Sequence, residues 1–175
     1  MEFHLTTPLT DMNIRALSMG DTVLLSGLLY TARDAAHKRI LAMLEAGETP
    51  PFPFDGQVVY YAGPSPAAPG RVIGSIGPTT SGRMDPYAPA LMETGLRCMI
   101  GKGARNDAVR EAIRKANGVY FVAIGGAAAL MSRCVAAVRM VAFPELGAEA
   151  VRALTVVNFP VIVGIDSYGR DIYKP

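Results

Sequence analysis

Residues 22–47, TVLLSGLLYTARDAAHKRILAMLEAG, decide the fold class. Thr22–Leu29 is an apolar run of strand length. Thr31-Ala-Arg-Asp34 then has the form of a capping box, with Thr31 as N-cap and Asp34 at the third helical position. Behind it Ala36, Ile40, Met43 and Leu44 fall on one helical face and Gly47 stops the helix. His37 falls on the polar side of this helix, where a solvated ring is expected. A strand that feeds directly into a helix is the unit of a mixed α/β domain.

The same alternation runs outward in both directions. Gln57–Ala62, Val72–Ile76, Arg97–Ile100, Val119–Ile124, Ala136–Ala142 and Val161–Ile165 read as further strands, from their Val and Ile content and their Gly/Pro boundaries. Asp85-Pro86 has the pattern of an N-cap followed by a first-turn proline, opening a helix towards Gly95. Val109, Ala112, Ile113 and Ala116 make the stripe of another helix, ended by Asn117-Gly118. A fourth is expected to start at Gly126 and run through Ala127–Leu130. Glu48–Asp55 and Ala62–Gly70 are Pro-rich ordered loops, too short and too apolar to be linkers. Residues 1–175 therefore read as one α/β domain.

Composition narrows the function classes. Half of the chain is hydrophobic, 18% is charged and the net charge is +2, with both signs interspersed. With no basic run, nothing calls for nucleic acid or a membrane surface. The apolar stretch Val119–Met131 is too short to span a bilayer, and Met1–Pro8 lacks the pattern of a signal peptide, so a cytoplasmic protein is expected. Cys98 and Cys134 stand far apart, which argues against a disulfide framework and against a thiolate-held cluster within this chain. His4 and His37 have no ligand-spaced companion, so no metal site is assigned.

Three stretches could carry chemistry. Gly77-Pro-Thr-Thr-Ser-Gly-Arg-Met-Asp85 gathers hydroxyls, Arg83 and free backbone N–H groups at a strand-to-helix turn, a setting that suits an anion. Its bland alternative is a Ser/Thr-rich turn that caps itself beside an exposed arginine. Arg33 opposes the dipole of its own helix, which is easier to understand if an anion lies nearby, although Asp34 could be that anion. Lys102, between Gly101 and Gly103, lies where the backbone can approach a ligand, yet the spacing is not that of a phosphate loop and a plain turn serves equally. Gly125-Gly126 offers backbone donors or close packing.

Taken together, Ser26-Gly-Leu-Leu-Tyr-Thr-Ala-Arg-Asp-Ala-Ala-His-Lys-Arg39, Gly77–Asp85, Ile100-Gly-Lys-Gly103, Gly125-Gly-Ala-Ala-Ala-Leu130, Phe143-Pro-Glu-Leu-Gly147 and Phe159-Pro-Val-Ile-Val-Gly-Ile-Asp166 resemble the β subunit, or C-terminal domain, of class I iron–sulphur fumarases and L-tartrate dehydratases. The resemblance covers nearly the whole chain. It implies a single swivelling β/β/α domain whose partner, an α subunit, holds a [4Fe–4S] cluster on three cysteines, so that this chain alone binds no cofactor. It further implies that Arg33 and Arg83 bind substrate carboxylates with Lys102 as a third cation. Thr79 and Thr80 would face the reacting carbons, Thr79 moving a proton with help from an acidic residue of the partner. Because the chain begins at Met1 without a cluster domain ahead of it, the resemblance implies a two-subunit hydro-lyase, plausibly α2β2, acting on fumarate/malate first and tartrate next. The competing reading is a non-catalytic dicarboxylate-binding module that has no cluster partner.

Overall fold

The computed structural model of the protein describes residues 1–124 and 128–175. Among them the strands are β1 (Glu2–Thr6), β2 (Thr22–Thr31), β3 (Val58–Tyr60), β4 (Cys98–Gly101), β5 (Val119–Ala123), β6 (Val135–Ala142) and β7 (Val151–Ile165). The helices are α1 (Asp11–Ala16), α2 (Asp34–Glu45), α3 (Ala88–Glu93), α4 (Asp107–Ala116) and α5 (Ala128–Ser132). β1 to β5 run parallel in chain order, and β7 runs antiparallel to β2, β5 and β6. One side of β7 follows β2 from Thr22↔Ile162 to Thr31↔Arg152, while its other side pairs β6 and then β5. The sheet thereby closes on itself through β2, β3, β4, β5 and β7.

Closure produces two cores from the strict two-residue alternation of strands. Leu25, Leu29, Val58, Tyr60, Ile100, Phe121, Phe159 and Val163 are fully buried within the inner core. Val59, Tyr61, Met99 and Tyr120 belong to the other core, with Ala36 and Ile40 of α2, Leu91 and Met92 of α3, and Val109 and Ile113 of α4. Strands covered on both faces have no polar side to show, which is why β3, β4 and β5 read as unbroken apolar runs.

Mixed α/β architecture is as expected, and several local expectations need correction. Val72–Ile76 is not a strand. Ile73 and Ile76 instead pack into the inner core, and the Tyr60 hydroxyl donates to the Ile76 carbonyl at 2.7 Å. Thr31 is the last residue of β2 rather than a cap: its Oγ1 accepts from the Arg152 amide at 3.1 Å, and Arg33 takes the N-cap place with no side-chain cap bond. Asp85 ends a 3-10 turn, Ser81–Met84, and α3 begins only at Ala88. His37 is buried rather than solvated. β1 and α1 were not expected, although Thr10 and Asn13 form a capping box at the start of α1, and β7 extends well before Val161. The start of the fourth expected helix, Gly126 and Ala127, and the preceding Gly125 lie outside the described residues; α5 covers Ala128–Ser132. α4 matches expectation, with Asn106 accepting from the Val109 amide at its start and Asn117 in the left-handed region at its end. No helix among the described residues is long and apolar enough to cross a membrane.

Candidate functional site

Parallel order places the carboxyl ends of β2, β3 and β4 along one edge. Arg33 follows β2, the Tyr61–Gly63 segment follows β3, and Lys102 follows β4. The chain that leaves β3 then folds back across this edge. Its Thr79 amide donates to the Tyr61 carbonyl at 2.6 Å, Thr80 forms a parallel bridge with Lys102, and the Ser81 amide donates to the Lys102 carbonyl at 2.9 Å. Thr79, Thr80 and Lys102 are thus neighbours because the backbone pairs there.

Arg83 lies on the 3-10 turn that continues from Ser81 and reaches the start of α2. Its Nε donates to Asp34 Oδ1 at 3.1 Å and its Nη2 to Asp34 Oδ2. Asp34 is therefore the partner of Arg83, not a neutralising neighbour of Arg33. Arg33 is half-buried, and its Nε has no hydrogen-bond partner among the described residues. It packs on Gly63: a Cβ there would stand 3.0 Å from both Arg33 Cδ and Nη1, and 2.6 Å from the Ala148 carbonyl. The short run Thr79–Arg83 thus touches Lys102 at one end, through the Thr80 bridge, and Asp34, the neighbour of Arg33, at the other. Thr80, Arg83 and Lys102 are exposed, whereas Thr79, like Arg33, is half-buried.

Beneath these exposed residues lies a buried polar layer that the sequence did not single out. Ser81 is fully buried, and the Tyr120 hydroxyl stands 2.8 Å from both Ser81 Oγ and the Gly103 carbonyl. Arg105, 2% exposed, donates through Nε to Asp85 Oδ1 at 2.7 Å, while Asp85 Oδ2 accepts from the Asn106 amide. The Arg105 guanidinium sits 5.2 Å from the Tyr61 ring centre and 5.0 Å from that of Tyr120. Burial raises the Tyr61 and Tyr120 hydroxyls above their usual range, so both stay protonated donors. His37 faces the Arg33 carbonyl through Nδ1 at 2.8 Å, and burial lowers its pKa to about 4. Only a protonated nitrogen can face a carbonyl, so Nδ1 carries the hydrogen. The helical period put His37 on the polar face of α2, but the rings of Tyr61 and Tyr87 stand 5.2 and 6.2 Å from its own.

The thiols do not fit a cluster site. Cys98 lies in the inner core with its pKa pushed up to about 12 by burial, and Cys134, just ahead of β6, packs half-buried against the same core. No group of three His, Cys, Asp or Glu residues able to hold a metal occurs among the described residues.

The family described as "Fumarase C-terminus" matches residues 1–175. Among individual relatives, "Fumarate hydratase 2" of Leishmania major is 40% identical over 158 residues, covering 89% of this chain and 28% of the relative. "Fumarate hydratase class I, anaerobic" of Escherichia coli is 37% identical over 152 residues, 86% of this chain and 28% of the relative. "Putative L(+)-tartrate dehydratase subunit beta" of Methanocaldococcus jannaschii is 40% identical over 172 residues, covering 95% of this chain and 88% of the relative. The chain thus spans a little over a quarter of these two fumarate hydratases, and most of the archaeal subunit.

Proposed function

The chain belongs to the fumarase C-terminal family, and on that premise we propose that it is the substrate-binding β subunit of a two-subunit hydro-lyase. The reaction is reversible loss of water from a 2-hydroxy dicarboxylate, malate to fumarate before tartrate to oxaloacetate. The observation that carries this reading is the backbone bridge that holds Thr80 against Lys102 while the same turn delivers Arg83 to the start of α2 beside Arg33.

Each group has a task that its chemistry suits. Arg33 and Arg83 hold the two carboxylates, and the planar fork of arginine sets orientation as well as charge. Arg83 spends Nε and Nη2 on Asp34, leaving Nη1 to the substrate. Lys102 adds a third cation that favours negative charge developing on the carboxylate beside the carbon that loses its proton, and so makes that proton more acidic. Thr79 moves the proton through its hydroxyl, with an acidic residue of the partner sharing it, since a lone threonine is a weak base at neutral pH. A [4Fe–4S] cluster held by an α subunit supplies the Lewis acidity for the departing hydroxyl when bound. The open face of Thr80, Arg83 and Lys102 suits closure by that second surface, with this domain swivelling against it in an α2β2 assembly of cytoplasmic type.

The test is anaerobic co-expression with a cysteine-bearing partner chain, followed by an absorbance assay on malate, with tartrate in parallel. Turnover that needs both chains and is lost in oxygen is expected. Dicarboxylate binding by this chain without turnover in any complex would instead make it a binding module.

A further inference from the structure

We propose that Arg105, Tyr120 and Ser81 form a buried positioning unit that locks the Thr79–Arg83 turn to the Lys102 loop, so that proton-moving and charge-holding groups keep one geometry. Its role in turnover rests on the hydro-lyase reading; the mechanical coupling does not. Two chain segments distant in sequence must agree at the face, and their backbones are linked by the Thr80–Lys102 bridge, to which the Ser81 amide bond belongs. The Tyr120 hydroxyl adds a second link from below, reaching Ser81 on one segment and Gly103 on the other at 2.8 Å each. Ser81 has no room to drift. A Cβ at Gly101 would stand 1.8 Å from Ser81 Oγ, so the hydroxyl lies directly against the Gly101 backbone.

Arg105 holds this arrangement from behind. Its side chain is 0% exposed, wedged against the rings of Tyr61 and Tyr120, and its Nε grips Asp85, the residue that ends the 3-10 turn. Its Nη2 has no partner among the described residues. A buried arginine with an unfilled donor is a poor way to gain stability, because apolar side chains of similar volume serve as well or better. It is a good way to fix the direction of two loops at once, since a guanidinium bond is directional and an apolar contact is not. Ser81 is buried within the turn and Arg105 lies beneath it, so they act through the exposed residues they hold.

The test uses Tyr120→Phe, which keeps the ring under Arg105 and removes only the hydroxyl, with Ser81→Ala as a second variant. Amide exchange on the full chain is the first readout. Protection at Thr79 and Ser81 is expected to fall roughly 10-fold, while β2 and β7 amides change less than about 2-fold. Turnover of the complex with the cluster-bearing partner is the second. There kcat is expected to fall roughly 10–100-fold with KM changed less than about 3-fold, the signature of misplaced groups rather than lost binding. The double variant is expected to cost no more than the worse single variant. Unchanged exchange, or loosening spread evenly through the sheet, would overturn the coupling. Local loosening with kcat intact in an active complex would overturn the positioning role. A wild-type complex without turnover would count against the hydro-lyase reading alone, and exchange would still decide the coupling.

Discussion

Gly101 has no space for even one carbon, because Ser81 Oγ already occupies it. Gly101→Ala must displace Ser81 and with it the pairing of Thr80 to Lys102. We expect a loss of about 1–3 kcal/mol in a urea titration and a larger relative loss of turnover. Gly63 is the matching position on the arginine side: Gly63→Ala would push Arg33 and should raise KM for the dicarboxylate more than it lowers kcat. Thr79→Ala should do the reverse, cutting kcat by about 100-fold or more with little change in KM; equal turnover in the variant complex would remove Thr79 from proton transfer. The sequence offers the Thr79–Arg83 turn, Arg33 and Lys102 as candidates because each stands in a local pattern of hydroxyls, glycines or misplaced charge, and the family resemblance is what assigns Thr79 and Thr80 a part. Arg105, Tyr120 and His37 stand in no such pattern. Their meaning comes from neighbours distant in the chain, and a residue's burial is not written in its immediate surroundings.

At the level of elements, the chain between β3 and β4 does most to shape the site. Its Ile73 and Ile76 plug the inner core, so that the following residues emerge at the carboxyl edge of the sheet. Ile76→Ala should leave a cavity costing about 2–5 kcal/mol and should loosen the Thr79 turn more than it loosens β7, as exchange would reveal. Val72–Ile76 looked like a strand because a plug and a strand both need alternating apolar side chains; only the presence of strand partners separates them. α2 is held on its hidden face by His37. The folded ring has a pKa of about 4, against about 6.5 in an unfolded chain. Between these values the unfolded chain takes up a proton that the folded chain refuses, so stability is complete above about pH 6.5 and falls as pH drops towards 4. Urea titrations should show about 2 kcal/mol less stability at about pH 5 than at neutrality, and His37→Gln should flatten that slope.

Across the whole molecule, β7 joins what would otherwise be an open sheet. It pairs β2, β5 and β6 at once, so neither core can form without it. The amides of β2 and β7 should therefore exchange only through global opening, and tyrosine fluorescence and circular dichroism should report one coincident urea transition. The alternation of strand and helix in residues 22–47 and the helix α4 with its Asn117–Gly118 end were determined by the sequence alone, because propensity, capping and periodicity act within a few residues of each other. The closed sheet, the reach of β7 back from Val161 to Val151, the plug at Ile76 and the buried layer under the face were decided only by the tertiary structure. Each of those depends on which distant strand, helix or side chain arrives to cover an apolar face or receive a hydrogen bond, and partners brought together by closure have no local spacing from which to be read.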